Sequence, residues 1–352
     1  MHIRRCRRGL VLAGLALVLL AGPASIRADA PPLPDPTATD MGAGEQSQIT
    51  AYVAYFADQI QSAADDKTQQ SILRDQMLKP LNSIPSGTPI SALFAYDFGS
   101  QVADKFGPLL NNPKTALNVT IIAAQVNNMS TESLFETALT NSSAAVRYWA
   151  AKGMGGVLPA LAQIGPSYQQ AVAALQKAAQ TEQDTMAAAQ IALALSQATS
   201  TDPGTAEAII TMLDHITANY STQIPNDLLA AGQIANDLTQ AVQNNNLKLS
   251  AADQLAAMTA LTNLISFAAQ YYAAGMLDYM QTKSAPDTIG AAVEAMNAVS
   301  GGNNFTIQSN ADPAALLMKV NDITGAPGIN GLVQKLYAKV PVPARIQIAH
   351  PQ

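Results

Sequence analysis

The side chains of this 352-residue chain that could perform chemistry are mainly carboxylates. Asp65-Asp66 and Glu182 with Asp184 are the nearest candidates, since paired carboxylates can serve glycoside hydrolysis or calcium binding. Both pairs lie at predicted helix starts, where an acidic side chain interacts favourably with the positive end of the helix dipole. We therefore interpret both pairs as helix caps. A carboxylate-dependent hydrolase is accordingly the least favoured function for this chain.

Metal and nucleophile sites have few residues to draw on. His215 and His350 are the histidines beyond residue 30, and the single cysteine is Cys6. Zinc and haem sites need more ligands of this kind. Serines are common, but none stands in a G-x-S-x-G or S-x-x-K pattern. We expect no catalytic, cofactor-binding or metal-binding residue, and hence a protein that is not an enzyme.

Two glycine-rich segments differ from phosphate-binding loops. The glycines at 325, 328 and 331 lack the G-x-G-x-x-G spacing and follow no predicted strand. Gly153-Met154-Gly155-Gly156 lies within or at the end of a predicted helix. We interpret both segments as close helix contacts or helix ends.

Arg147, Tyr148 and Lys152 are the residues best suited to contact a partner. Only three arginines follow residue 30, and Trp149 is the one tryptophan. Trp149 falls on the apolar stripe of its helix and is expected in the core, whereas Tyr148 and Lys152 point away from that stripe, one turn apart. The three residues form a candidate interaction surface. For Arg147 and Trp149 we favour structural roles, with a role in binding as the alternative, so Tyr148 and Lys152 are the better candidates for an exposed contact.

Apolar residues recur at helical spacing along most of the chain. Ile49, Val53, Phe56 and Ile60 are spaced to lie on one face of a first helix. A second helix is predicted from Lys67 to Leu78, before a proline. No run of alternating β-branched residues is long enough for a sheet. The sequence therefore predicts an all-α fold.

Short amphipathic helices are predicted in succession from residue 112 to residue 220. Their starts include Asn112-Pro113, Asn141-Ser142 and Asp202-Pro203, which combine a capping residue with a residue suited to a first turn. Beyond this region longer helices are predicted from Asn226 to Val242 and from Ser250 to about Met280. Further helices are predicted at Asp287 to Val299 and Asp312 to Val320.

One of these helices resembles a known repeat. The stretch from Ser142 to Val157 resembles the "VR..A...LG" helix of HEAT-type repeats, with matching residues at Val146, Arg147, Ala150 and either Gly155 or Gly156. The resemblance is confined to about residues 112–220. It implies a HEAT-like α-solenoid of antiparallel helix pairs, with extra helices at both ends. It also implies that Arg147 bonds to the adjoining repeat.

Residues 1–30 have the pattern of a secretory signal peptide. Several arginines precede the apolar run from Leu10 to Leu20, and small residues follow as far as Ala30. We predict a signal peptide at 1–30, a flexible Pro-rich leader at 31–44, an N-terminal helical segment at 45–111, HEAT-like repeats at 112–220, a C-terminal helical region at 221–340 and a tail at 341–352. Export to the periplasm, the cell surface or the medium is expected.

Composition excludes several partners. Beyond residue 30 the chain has 14 basic and 24 acidic residues, a formal charge of −10. Its lysines are scattered singly, so no basic stripe could neutralise a phosphate backbone or anionic lipid. No segment after residue 30 approaches the ~20 apolar residues that a membrane span needs. We expect a scaffold that binds a protein or extracellular polymer; the alternative is a self-associating cell-envelope structural or assembly protein.

Overall fold

The structure is a computed structural model that describes residues 29–198, 204–225, 227–244, 249–308 and 312–347. Residues 1–28 of the predicted signal peptide lie outside these ranges, as do Asp202-Pro203, Asn226 and His350. Contacts divide the chain into two compact units, Met1–Ala30 and Pro31–Gln352. Every helix and buried core residue described below belongs to the second unit, so this unit has the core it needs to fold by itself.

The described part of the chain is all-helical and forms no strand, as predicted. The first helices are α1 (Ala43–Ser62), α2 (Lys67–Asn82), α3 (Ala92–Phe106), α4 (Ala116–Val126), α5 (Glu132–Leu139), α6 (Ala144–Leu161) and α7 (Gly165–Ala179). The later ones are α8 (Thr185–Ser196), α9 (Gly204–Thr217), α10 (Leu228–Asn244), α11 (Ala251–Ala273), α12 (Tyr279–Val299), α13 (Pro313–Thr324) and α14 (Leu332–Leu336). No helix in the described ranges is long and apolar enough to cross a membrane.

The helices form two series of neighbours. In one series α4, α6, α8, α10 and α12 contact one another in that order, and in the other α5, α7, α9, α11 and α13 do the same. Helices that follow each other in the chain also touch, as α5 does with α6 and α7 with α8. Their buried side chains join in one hydrophobic core.

The first helix has the buried face that its spacing predicts. Ile49, Val53, Phe56 and Ile60 are all buried, which confirms that prediction. A helix over these residues buries one stripe because positions three and four apart lie on the same side.

The second helix does not stop before its proline. It continues through Pro80 to Asn82. Proline has no N–H to donate to the carbonyl four residues earlier, so the carbonyl of Gln76 loses its usual helical partner. The Tyr52 hydroxyl from α1 lies 3.5 Å from that carbonyl and donates to the neighbouring carbonyl of Met77 at 2.9 Å.

Two other predicted boundaries are wrong. Asn112 does not cap α4, which begins at Ala116; instead its side chain accepts the N–H of Lys114 within a turn that follows a 3-10 helix. The helix that opens at Ser250 ends at Ala273 rather than near Met280. Gly275, at φ +67°, takes the left-handed conformation that ends a helix.

The helix predicted to start at Asp287 begins earlier, as α12 at Tyr279. Asp278 caps it by accepting the N–H of Gln281 at 2.8 Å, and Pro286 lies inside it. The predicted capping box at Ser250 is confirmed, since its hydroxyl accepts the N–H of Asp253 at 3.1 Å. Local capping chemistry therefore predicts the start at Ser250, and the same chemistry marks the start at Asp278.

The segments before α1 and after α14 contact the helices. Leu33 and Met41 of the predicted leader pack against the core, and the carbonyl of Pro36 accepts the N–H of Ser91 at 2.9 Å. In the predicted tail, the N–H of Gln347 donates to the carbonyl of Ser221 at 2.9 Å. Both segments have extended or turn structure in the described residues.

Glycines allow pairs of helices to approach closely, as the sequence suggests. A Cβ atom at Gly153 of α6 would lie 2.3 Å from ring carbons of Phe135 in α5, and one at Gly155 would lie 3.2 Å from the Cβ of Ala194 in α8. The glycines near residue 325 instead build a tight turn, in which Gly325 and Gly328 have positive φ and Ala326 exchanges backbone hydrogen bonds with Ile329.

We expect Gly153→Ala to lower the free energy of unfolding by about 1–3 kcal/mol. Phe135 is fully buried, so its ring cannot move away without repacking the contact between α5 and α6. Gly290→Ala on α12 is the matched control: the space beside Gly290 is open, and alanine should stabilise the helix by up to ~1 kcal/mol. Chemical denaturation measures both. Equal stability of the two variants would show that α5 and α6 are not packed this closely.

Candidate functional site

Arg147 lies in the first turn of α6 and is fixed by four hydrogen bonds. Its Nε and Nη2 donate to the two carboxylate oxygens of Glu182, each at 2.6 Å. Its Nη1 donates to the carbonyls of Asn141 and Ser142 at 2.9 and 3.0 Å. The guanidinium thus links α6 and the turn before it to the turn that precedes α8.

Glu182 is the buried partner of this pair, with its side chain only 1% exposed. Burial by itself would raise the pKa of Glu182. The hydrogen bonds from Arg147 and from the N–H groups of Asp184 and Gln183, together with the positive charge of Arg147, outweigh burial and hold the pKa below its usual value. Glu182 is therefore a structural anion rather than a general acid.

The two predicted acidic pairs also take part in the fold. Asp184 and Asp66 cap α8 and α2 by accepting backbone N–H groups at 3.0 and 2.9 Å. Asp65 forms an ion pair with Lys114. The capping interpretation is therefore right for Asp66 and Asp184 and wrong for the other two acids, since Asp65 pairs with Lys114 and Glu182 belongs to the buried pair with Arg147.

Tyr148, Trp149 and Lys152 form a second group on α6, which we call the α6 cluster. Trp149 is only partly buried, so its predicted core position is wrong. The Lys152 ammonium lies 4.5 Å from the centre of the Trp149 ring, and the Tyr148 ring meets the Trp149 ring edge to face with centroids 5.9 Å apart. A partly exposed tryptophan suits a contact surface, since it combines a large apolar area with few rotatable bonds.

A cavity of about 730 Å³ lies beside Arg147, between the end of α5 and α7. Its polar lining includes Glu136, Gln170 and Lys177. The Glu136 carboxylate accepts the amide of Gln170 at 3.0 Å with one oxygen, while its other oxygen is buried without a partner. The cavity thus joins Arg147 to exposed groups on α5 and α7.

The starts of α8, α10 and α12 lie side by side and form an edge that we call the aspartate edge. Thr185 at the start of α8 donates its hydroxyl to Asp227, the residue before α10. Gln281 in the first turn of α12 donates to the carbonyl of Pro225, and Thr288 donates to the carbonyl of Leu228 at 2.8 Å. These bonds hold the start of α8 and the first half of α12 against the start of α10, so that the three helix starts lie together.

Sequence reasoning missed this edge, although a repeated pattern marks it. An aspartate stands directly before each of the three helices, and a methionine or leucine follows two residues after it. The three segments are Asp184-Thr185-Met186, Asp227-Leu228-Leu229 and Asp278-Tyr279-Met280. The aspartates fit the capping preference for helix starts. Only the packing of the helices shows that the three patterns are adjacent.

A polar cavity of about 320 Å³ adjoins the aspartate edge. Asp184, His215, Tyr220 and Asp227 are among the residues that line it. The Nδ1 of His215 is buried and has no hydrogen-bond partner among the described residues, while the buried hydroxyl of Tyr220 lies beside the carboxylate of Asp227. Burial, with the nearby Asp227 carboxylate, raises the pKa of Tyr220 well above its usual value. His215 therefore presents an unsatisfied nitrogen beside this cavity.

The described residues contain no group of three His, Cys, Asp or Glu side chains that could hold a metal ion. The α6 cluster and the aspartate edge both combine exposed apolar surface with charge, as binding surfaces do. Comparison of the chain with protein-family models, with curated proteins and with solved structures found no match.

Proposed function

We propose that this protein is an exported, non-enzymatic scaffold that binds a protein or an extracellular polymer. We further propose that its helices form a HEAT-like α-solenoid of antiparallel pairs. From α4 to α13 each helix contacts the next but one, which supports this architecture because stacked helix pairs contact each other in this way. The bond from Arg147 to the turn before α8 agrees with what the HEAT resemblance implies. Export is proposed from the pattern of residues 1–30.

The α6 cluster is the observation that carries the binding proposal. It lies on α6, which contacts both α4 and α8. Trp149 keeps part of its ring exposed while Lys152 covers it, so a partner could displace the lysine and stack on the ring. The chain has few arginines and a net negative charge, so its surface disfavours polyanionic partners.

The test is capture of a partner from the host's own envelope extract by the immobilised unit Pro31–Gln352. We expect one specific partner, and its recovery should fall about tenfold when Tyr148→Ala and Lys152→Ala are combined. The control combines Met318→Ala and Lys319→Ala, which alter exposed residues on α13. Equal capture by both double variants would place the contact elsewhere, and no specific capture at all would contradict the binding function.

Self-association is the second candidate, and exposed apolar residues on α3 favour it. Leu93 and Tyr96 are 54% and 51% exposed, and lie one turn apart near Ile90. Two copies could bury this surface against each other. Light scattering on the same protein decides between the two candidates. The molar mass of a self-associating protein rises with concentration, whereas that of a monomeric scaffold does not.

A further inference from the structure

The aspartate edge exposes large apolar side chains in a row. Met186, Leu229 and Met280 are 58%, 69% and 68% exposed. Leu229 and Met280 line the same groove of about 290 Å³, on the starts of α10 and α12. Methionine and leucine side chains held in water beside one another favour a partner that would bury them.

The charge of this edge is negative. Asp184, Asp227, Asp278 and Asp287 lie on it, and within the described ranges none of them has a lysine, arginine or histidine at ion-pair distance. Two cations lie near this edge. The positive charge of Arg147 acts on Asp184 but is already paired with Glu182, and the Lys283 ammonium lies over the Tyr279 ring, 4.4 Å from its centre. Each helix N-terminus contributes only about half a positive charge, so the aspartates dominate.

The polar cavity and the apolar groove are neighbours, because Asp227 lines both. On the cavity side Tyr220 is buried, with 5% of its surface exposed, and its hydroxyl lies beside the carboxylate of Asp227. A hydroxyl oxygen has two lone pairs, so it can accept a hydrogen bond from a ligand even while it donates one to a carboxylate.

We infer that the aspartate edge binds a peptide segment that carries a lysine or arginine next to a large apolar side chain. The cation enters the cavity, where Asp184 and Asp227 offset its charge and the Tyr220 oxygen accepts a hydrogen bond. The apolar side chain packs between Leu229 and Met280. The inference rests on the proposed binding function, but it concerns a surface separate from the α6 cluster.

Charge complementarity selects this occupant over others. A polyanion would meet four aspartates, and a second copy placed by two-fold symmetry would bring the same acidic edge against itself. The state of Asp227 agrees with a missing cation. Burial, and then the negative charge of Asp184, raise the pKa of Asp227, although the nearby hydroxyls of Thr185 and Tyr220 act in the opposite direction.

The test uses synthetic peptides of about ten residues in which a lysine precedes leucines at several separations, with binding to the unit Pro31–Gln352 measured by fluorescence anisotropy. We expect one separation to bind best. Its Lys→Glu and Leu→Ser counterparts should bind about tenfold more weakly, and added salt should weaken binding. If no peptide in the series binds, or if the Lys→Glu counterparts bind equally well, the inference is overturned.

Variants of the protein locate the contact. Met280→Ser and Leu229→Ser should each weaken binding about tenfold, whereas Met318→Ser on α13, where the side chain is also 69% exposed, should not. Tyr220→Phe removes the hydroxyl oxygen that accepts the hydrogen bond from the lysine, so it should weaken binding of the lysine peptide about tenfold. Unchanged binding by all three edge variants would contradict the assignment.

The two proposals fail separately. If an envelope partner depends on Tyr148 and Lys152 but the peptides do not bind, the scaffold function stands and the aspartate edge is not its peptide site. If peptides bind at the edge but no partner depends on the α6 cluster, the edge is a binding site and the α6 cluster is not. If neither binds, both proposals are wrong.

Discussion

The Asp237→Asn variant is expected to have a higher free energy of unfolding than the wild type. The difference should grow as pH rises from about 4 to about 8, where it reaches roughly 4 kcal/mol. Asp237 lies inside α10 and is fully buried. One carboxylate oxygen accepts the amide of Gln233 at 3.1 Å, and the other has no partner. Burial raises the pKa of Asp237 from 3.8 to about 7, despite the hydrogen bond from Gln233.

The direction follows from the proton that the folded state retains. Between pH 3.8 and about 7 the unfolded chain has lost the Asp237 proton and the folded chain keeps it, so raising the pH favours unfolding. Above about 7 the full cost is present and stays constant. Asparagine does not titrate, so the variant lacks this cost.

Urea denaturation of the variant and the wild type over this pH range measures the effect as a difference, which cancels the contributions of the other carboxylates. Asp214→Asn, at an exposed position of α9, is the control for the loss of one carboxylate. Parallel curves for Asp237→Asn and wild type would mean that Asp237 is already ionised in the folded protein at low pH.

Arg147→Met is expected to lower the free energy of unfolding by about 3–5 kcal/mol. The variant leaves Glu182 buried without its cation, and only the N–H groups of Gln183 and Asp184 remain to bind its carboxylate. Adding Glu182→Leu should recover most of the loss, because it removes the unpaired charge. A double-mutant cycle by denaturation measures the coupling.

The cycle also decides what Arg147 does. Since the pKa of Glu182 is lowered in the folded state, the pair contributes stability above the usual glutamate pKa of 4.5 and loses it as pH falls through the lowered value. A loss for Arg147→Met below about 1 kcal/mol, typical of an exposed ion pair, would contradict the buried role. If Arg147→Met loses less than this in free energy of unfolding but captures less partner, Arg147 belongs to the interaction surface.

Residue spacing and capping patterns predicted what local geometry controls. The buried face of α1 and the capping box at Ser250 depend on residues within one or two turns, and both were predictable. The start of α4 was not, because Asn112 followed by a proline suits a tight turn as well as a helix start. The end of α11 was missed because apolar spacing continues past Gly275.

The candidate surfaces depend on contacts that no local pattern contains. Trp149 was expected in the core from its position on the apolar stripe, but its large ring extends past the buried stripe and lies under Lys152. The bond from Thr185 to Asp227 joins residues 42 positions apart. The aspartate edge could be recognised only once the packing had brought the starts of α8, α10 and α12 together.

The return of the tail to the helices has a consequence for the order of folding. Most helix contacts join near neighbours in the sequence, so structure can grow from one helix to the next as the chain emerges. The side chain of Gln270 instead pairs with the carbonyl of Ala344 at 3.1 Å and the N–H of Ile346 at 3.0 Å. These two hydrogen bonds cannot form until Ala344 and Ile346 have been synthesised, so the surface of α11 beneath them is the last to be covered.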